Sequence, residues 1–434
     1  MNDVNAPAPR FRVPERTQVV ASYHALDDLI PAEHQVRLVW AVVQTLDLSA
    51  FEAPVKARAG VCGRDATPPR LLLALWLYAT LDGIGSAREL DRRCGESDPY
   101  RWLCGGVGVN YHTLSDFRVQ HGPALDGVLT QTIAALVHKG LVDVKRITQD
   151  GFRVRAGAGT SSFRREKSLE KSLAQAQQQV AQTRALLEDP ARSAELSARQ
   201  KAARERAARE RVQRLEAARA VVKKLQARQE ESAKNLSEKQ KAKLREPRAS
   251  TTDAEARNMK MPDGGCRPAF NSQVAVDTQS RAIVGIEITN EGVDYEQSEP
   301  MRDQVERRTG LEVDQHLVDG GYTTIQAVEQ AAGDGVELFC PPKPPRNKEK
   351  NGDEFQPRPG DSQAIRDWRQ RMGSEEGKHI YKGRASTSET VNAEFRNRRV
   401  LDRLPVRGMA KARCILLLAA LAYQVGHFAE ALVG

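Results

Sequence analysis

Three carboxylates stand where a carboxylate could do chemistry. Asp150 is followed by Gly151, Asp319 by Gly320 and Gly321, and Glu389 lies in a polar stretch of helical character. Residues 142–155, VDVKRITQDGFRVR, alternate like a strand, with Asp150 read at its end; residues 315–319, QHLVD, read as a short buried strand ending in a Gly turn. Glycine lets a backbone pass close to a bulky ligand. Two carboxylates at the ends of neighbouring strands could converge on one point, and unpaired they would repel. A divalent cation removes that repulsion, and hard oxygen ligands select Mg²⁺ or Mn²⁺. Two such ions stabilise the attacking and leaving oxygens of phosphodiester chemistry. The spacing equally permits strand-end aspartates that only cap turns.

The elements that must position them are legible in outline. Residues 1–15 are rich in Pro and Ala and are predicted to be disordered. Residues 16–140 read as a helical domain. Pro68 and Pro69 suit the first turn of a helix through LLLALWLYATLDG that stops at Gly83. Short helices with Gly breaks and arginines follow, as in a helix-turn-helix-like module. Residues 164–247 lack aromatics and glycine, and Leu169, Leu173, Ala176, Val180 and Leu187 fall on a 4-3 spacing, as do Val212, Leu215, Ala218, Val222 and Leu225. Asp189-Pro190 separates the two arms, so an antiparallel coiled-coil hairpin is predicted, inserted into a domain made of residues 141–163 and 248–434. A strand hairpin is predicted at 270–277 and 282–288, a helix at 298–308, a helix at 324–332 and a strand at 336–340. Residues 341–378 read as loop, and the segment from 387 onward as helical with a break near 404–408. Strands and helices in this order make an α/β layer fold.

The bulk numbers agree with a polyanion partner. The chain has 434 residues and a net charge of +9, which suggests two or three domains and a basic surface. Six cysteines are scattered without a C-x-x-C pair, as in reduced cytosolic proteins, and a zinc ribbon is excluded. The N-terminus has no apolar run of the signal-peptide kind. The longest apolar stretch, residues 414–423, is short of the roughly 20 residues a bilayer needs. It is read as a buried core helix, and no membrane association is expected.

Residues 381–396, YKGRASTSETVNAEFR, carry Tyr381, Arg384 after two residues, Glu389 after four more and Arg396 after six more. This pattern, with the two upstream Asp-Gly regions and the segment MPDGGCRPAFNSQVAVD, resembles the Asp-Asp-Glu (DDE) transposases of bacterial insertion sequences. The resemblance covers most of residues 15–425. It implies an RNase H-like mixed sheet with helices, preceded by an all-helical DNA-binding domain. It implies Asp150, Asp319 and Glu389 as catalytic and metal-binding triad, with two Mg²⁺ or Mn²⁺ ions. It also implies DNA partners, namely the terminal inverted repeats and target DNA, a homodimer or higher assembly on DNA, and a cytoplasmic, nucleoid-associated site of action. Cleavage would free a 3′-OH that attacks target DNA, with no covalent protein–DNA link.

If residues 387–399 are helical, Glu389, Asn392 and Arg396 share a face, with Tyr381 and Arg384 ahead of that helix to position DNA. Arg118, on a capped helix beginning at Tyr111, is a candidate for groove contact, and Arg153 and Arg155 for contact beside Asp150. Rival carboxylates are Asp253, Asp263, Asp277, Asp294 and Glu394. Asp277 is placed at the hairpin turn, and Glu394 about 140° round the helix from Glu389. The hairpin is either a solvated structural arm or a device for dimerisation or DNA clamping. Two other functions fit the same residues: an RNase H-like nuclease without strand transfer, and a catalytically inactive DNA-binding relic.

Overall fold

The computed structural model describes residues 17, 23 and 25–434, apart from 59, 61, 64, 191–193, 195, 345–352 and 398–400 and the side chains of 396 and 397. The expected disordered N-terminus, residues 1–15, therefore lies outside the described residues.

The alternation read in residues 142–155 becomes β1 (Arg146–Arg155), the centre of a mixed sheet. Two short strands precede the rest, β2 (Phe163–Arg164) and β3 (Ala249–Ser250), which pair with each other. The sheet is completed by β4 (Arg257–Lys260), β5 (Cys266–Asp277), β6 (Ile283–Thr289), β7 (Gln315–Leu317) and β8 (Glu337–Phe339). β5 lies antiparallel to β1 over its whole length, from Ile147↔Asp277 to Arg155↔Ala269. On its other edge β5 takes β4 and then β6. β7 runs parallel to β1, and β8 parallel to β7. Asp277 sits in the β5–β6 turn as expected, accepting from the Ser280 N–H at 2.7 Å.

Asp150 is in the middle of β1 rather than at its end. The reason is the asymmetry of its neighbours: pairing with β7 stops at Thr148↔Leu317, while pairing with β5 continues to Arg155. Asp150 and Asp319 are each two residues past that last parallel pair. Strands running the same way, about 4.8 Å apart, thus reach their aspartates in step and on the same face.

The helical N-terminal region is as the sequence predicted. It contains α1 (Gln35–Thr45), α2 (Pro69–Leu81), α3 (Ala87–Glu96), α4 (Asp98–Cys104), α5 (Tyr111–Gln120) and α6 (Gly122–His138). Asn110 caps α5, its side chain accepting from the backbone of His112 and Thr113 at 3.0 Å. Such a cap holds two of the N–H groups a helix start leaves unbonded. Two long helices follow β2: α7 (Glu166–Glu188) and α8 (Ala198–Ala233). Glu166 meets Gln226, Glu170 meets Arg219 and Gln179 meets Arg211, so the two run antiparallel. Leu169, Ala176, Leu215, Ala218 and Val222, all from the 4-3 pattern, are buried between them.

Beyond the sheet lie α9 (Ser298–Thr309), α10 (Ile325–Gly333), α11 (Gln363–Gly373), α12 (Glu375–Asn397) and α13 (Met409–Val433). Met301 and Val305 of α9 cover one sheet face at Gly285. On the other face Phe152 meets Phe395 of α12, which stacks on Tyr423 of α13. α13 is long and apolar enough to cross a membrane by length and composition, but it is a core helix here, packed on α1, α2, α5, α6 and β6. One apolar core thereby joins the N-terminal helices to the sheet.

Two further expectations change. Residues 341–378 contain α11, whose Ile365, Trp368, Arg369 and Met372 are buried at helical spacing; its Pro- and charge-rich flanks hid the period. α12 begins at Glu375, so Tyr381 and Arg384 lie on the same helix as Glu389 instead of ahead of it.

Candidate active site

The sheet edge where β7 stops exposes Asp150 and Asp319 to each other. The Asp150 carboxylate accepts from the Gly151 N–H at 2.9 Å and from the Asn392 side-chain amide at 2.8 Å. Asp319 accepts from the Gly321 N–H at 2.7 Å. The Arg384 guanidinium stands 4.0 Å from Asp150, too far for a hydrogen bond, and its Nη1 is buried without a hydrogen-bond partner. α12 is fastened over β1 by a hydroxyl pair, Thr148–Ser388 at 2.9 Å, and Arg384 lies over the Tyr381 ring, 5.9 Å from its centroid.

Burial pushes the Asp150 carboxyl up to about 6. Arg384 pulls against that shift, the Asp319 charge adds to it, the Gly151 N–H opposes it and Asp294 adds again. Tyr322, buried beside Asp294, Asp150 and Asp319, is held well above its ordinary phenol value, first by burial and then by those charges.

Asp294 is the residue the sequence reading left among the rivals. It follows β6 in a loop, and its carboxylate accepts from Asn271 at 2.7 Å and Gln273 at 2.8 Å, with Arg153 at 3.4 Å. Gln273 also accepts from Gln149 at 2.8 Å and from the Tyr322 hydroxyl. Gly151 makes this approach possible: a Cβ there would stand 2.6 Å from Gln273 Nε2 and 2.7 Å from Asp294 Oδ1. The signal that could have found it was Gly151 itself, whose missing side chain makes room for a protein carboxylate.

The other expected residues fall in different places. Glu389 is exposed on α12, three residues before Asn392, and among the described residues no three His, Cys, Asp or Glu side chains gather at one point. Asn392 is buried and spends its amide on Asp150. Arg118 is buried, lying 4.5 Å over the Trp76 ring and donating to the Gly85 carbonyl, so it does not face a groove. Arg153 is committed to Asp294, on the strand face opposite Asp150, whereas Arg155 is exposed. The side chain of Arg396 lies outside the described residues. Asp253 accepts from the Gly408 N–H at 3.0 Å, Asp263 pairs with Arg267 at 2.6 Å and Glu394 with His427 at 2.8 Å.

The donor set suits a hard divalent cation in part. Asp150 and Asp319 offer carboxylate oxygens, and burial, with the Asp319 charge adding to it, raises the Asp150 carboxyl against the pull of Arg384. Two family models match the chain: a transposase domain (DUF772) over residues 24–120, and a transposase DDE domain over residues 338–428. The chain belongs with the DDE transposases of insertion sequences. The first match spans α1 to α5; the second spans α11, α12 with Glu389, and most of α13, and stops short of Asp150 and Asp319. No curated protein and no solved structure matches the chain. A transposase acts on DNA, and DDE transposases in general use divalent metal.

Proposed function

We propose that this transposase cuts DNA strands at the ends of an insertion sequence and joins the freed 3′-OH to target DNA, using an RNase H-like core. The observation that carries this reading is the in-step arrival of Asp150 and Asp319 on parallel strands, where burial raises the Asp150 carboxyl. Asp150 and Asp319 would hold Mg²⁺ or Mn²⁺, two ions in all, with Glu389 as the third ligand supplied by α12. Such ions stabilise the charge on both the attacking and the leaving oxygen of the phosphodiester.

The chain's own residues prepare that site. Asn392 fixes the orientation of the Asp150 carboxylate, and the Gly151 N–H fixes its second oxygen. Arg384, whose Nη1 has no hydrogen-bond partner, offers a guanidinium to a phosphate oxygen. Tyr381 packs beside it and sets its direction. Arg155 and Arg396 contribute backbone contacts to DNA. No serine or tyrosine nucleophile is required, because the attacking groups are water and then the DNA 3′-OH. Acting on two element ends calls for a homodimer or higher assembly on DNA, in the cytoplasm at the nucleoid.

A second reading draws on the exposed position of Glu389 and on the lack of a three-membered His, Cys, Asp or Glu cluster among the described residues: a DNA-binding relic that does not cut. Cleavage of end-labelled DNA carrying the element's flanks, with Mg²⁺, separates the two. Cleavage and strand transfer by the natural protein, lost in Asp150→Asn and in Glu389→Gln with end binding kept, are expected. Full activity in Asp150→Asn would refute the site, and an inert natural protein that still binds DNA would favour the relic.

A further inference from the structure

The root of the helical hairpin carries a cleft that the carboxylate site does not use. It is lined by Arg164 from β2, Arg211 and Arg214 from α8, Arg407 from the loop before α13, and the hydroxyl-bearing Thr251 and Thr252. Among the described residues no Asp or Glu lines it. All four guanidinia are on exposed residues. Arg214 has Glu210 at 3.7 Å, one turn away on its own helix, and among the described residues no ion pair involves Arg164, Arg211 or Arg407. Four like charges brought together from three separate parts of the chain, with Glu210 as the one paired carboxylate among the described residues, repel one another. Guanidinium forks with neighbouring hydroxyls match phosphate oxygens in geometry and charge.

The cleft is tied to the strand that bears Asp150. The Leu404 N–H donates to the Arg155 carbonyl at 2.8 Å, prolonging β1 into the 401–408 loop. Gly157 packs so closely on that loop that a Cβ would stand 2.6 Å from the Val406 carbonyl oxygen and 3.5 Å from Arg407 Cγ. Seven extended residues from Asp150 to Gly157 cover roughly 20 Å. One DNA strand rises about 3.4 Å per nucleotide, so the same span is on the order of six phosphates.

We infer that this cleft binds the phosphodiester backbone of the DNA whose scissile bond lies at Asp150, which makes the hairpin root a second DNA-holding point. The inference rests on the proposed function for its ligand, and it assigns the hairpin a role in gripping substrate. Contact is to phosphate alone, so it adds affinity without base preference.

The test is binding of the full-length protein to a fluorescent duplex carrying the element end, without divalent metal, over a series of salt concentrations. A combined variant, Arg164→Gln with Arg211→Gln, Arg214→Gln and Arg407→Gln, is compared with the four matching Arg→Lys changes. The Gln variant is expected to bind at least about tenfold more weakly near physiological salt, with the slope of log K against log salt shallower by about three to four. The Lys variant is expected to recover most of that slope, since it keeps the charge. Single Arg407→Gln and Arg211→Gln changes, each lowering the slope by about one, carry the test if the combined chain does not fold. A folded Gln variant, or both single variants, with the natural affinity and slope would overturn the inference and leave the carboxylate site untouched. A natural protein with no salt-dependent affinity for the duplex would overturn it together with the proposed function.

Discussion

The carboxylate site and the hairpin root lie along one strand and are opposites. At Asp150 and Asp319 negative charge is gathered and buried, with a single guanidinium 4.0 Å off. At the hairpin root positive charge is gathered and exposed, with no acidic lining among the described residues. The first arrangement costs stability, because burial penalises the charged form and the Arg384 guanidinium offsets that penalty only in part. The second costs little, because water screens exposed charges. On the proposed function the first region takes cations and the second a polyanion, and the protein's stability should respond to the two regions in different ways.

The largest stability effect is expected at the edge of the site. Asp294→Ala leaves Arg153, itself largely buried, facing an empty place and strands the amides of Asn271 and Gln273. Chemical denaturation should show a loss of about 2–4 kcal/mol, smaller than for a fully buried pair because both groups keep some solvent contact. A loss well under 1 kcal/mol would mean that Asp294 is not integral to the network.

Asp150→Asn should act in the opposite direction. The folded-state value of about 6 lies above the ordinary 3.8, so the folded protein binds the proton more tightly than the unfolded chain. The carboxylate therefore costs nothing below about pH 4, and its penalty grows as pH rises through about 6. Without divalent metal at neutral pH the variant should be more stable by roughly 1–3 kcal/mol, and the difference should vanish near pH 4. Equal melting of both proteins across that range would break the contrast between the two regions.

Asn392→Ala is expected to be a smaller disturbance, about 1 kcal/mol, from the lost amide bond to Asp150. Asn392→Asp should be worse than Ala at neutral pH, since it adds a third acidic group beside Asp150. The four Arg→Gln changes at the hairpin root are expected to leave the melting temperature unchanged. A clear rise would show that their mutual repulsion is felt in the folded state.

Much of this was legible in the residues. Period-2 alternation revealed β1 and the β5–β6 hairpin, the 4-3 spacing revealed the α7–α8 pair, and the Asp-Gly dipeptides pointed to Asp150 and Asp319. What was not legible depended on tertiary pairing. That Asp150 lies mid-strand follows from where β7 ends, which no property of residues 146–155 reveals. Asp294 comes from a loop, so no period marks it, and only folding sets it against Gly151. Arg118 and Arg153 read as free cations because sequence does not display the Trp76 ring or the Asp294 carboxylate that engage them. The family pattern selects Glu389, while α12 turns Ser388 and Asn392 toward β1.

The most direct measurement is a Mn²⁺ titration of the full-length protein followed by electron paramagnetic resonance, with Asp150→Asn, Asp319→Asn and Asp294→Asn in parallel. Bound Mn²⁺ in the natural protein, lost in the first two variants and kept at least in part in the third, is the expected result. Equal Mn²⁺ binding by all four proteins would contradict the assignment of Asp150 and Asp319 as the metal-holding pair.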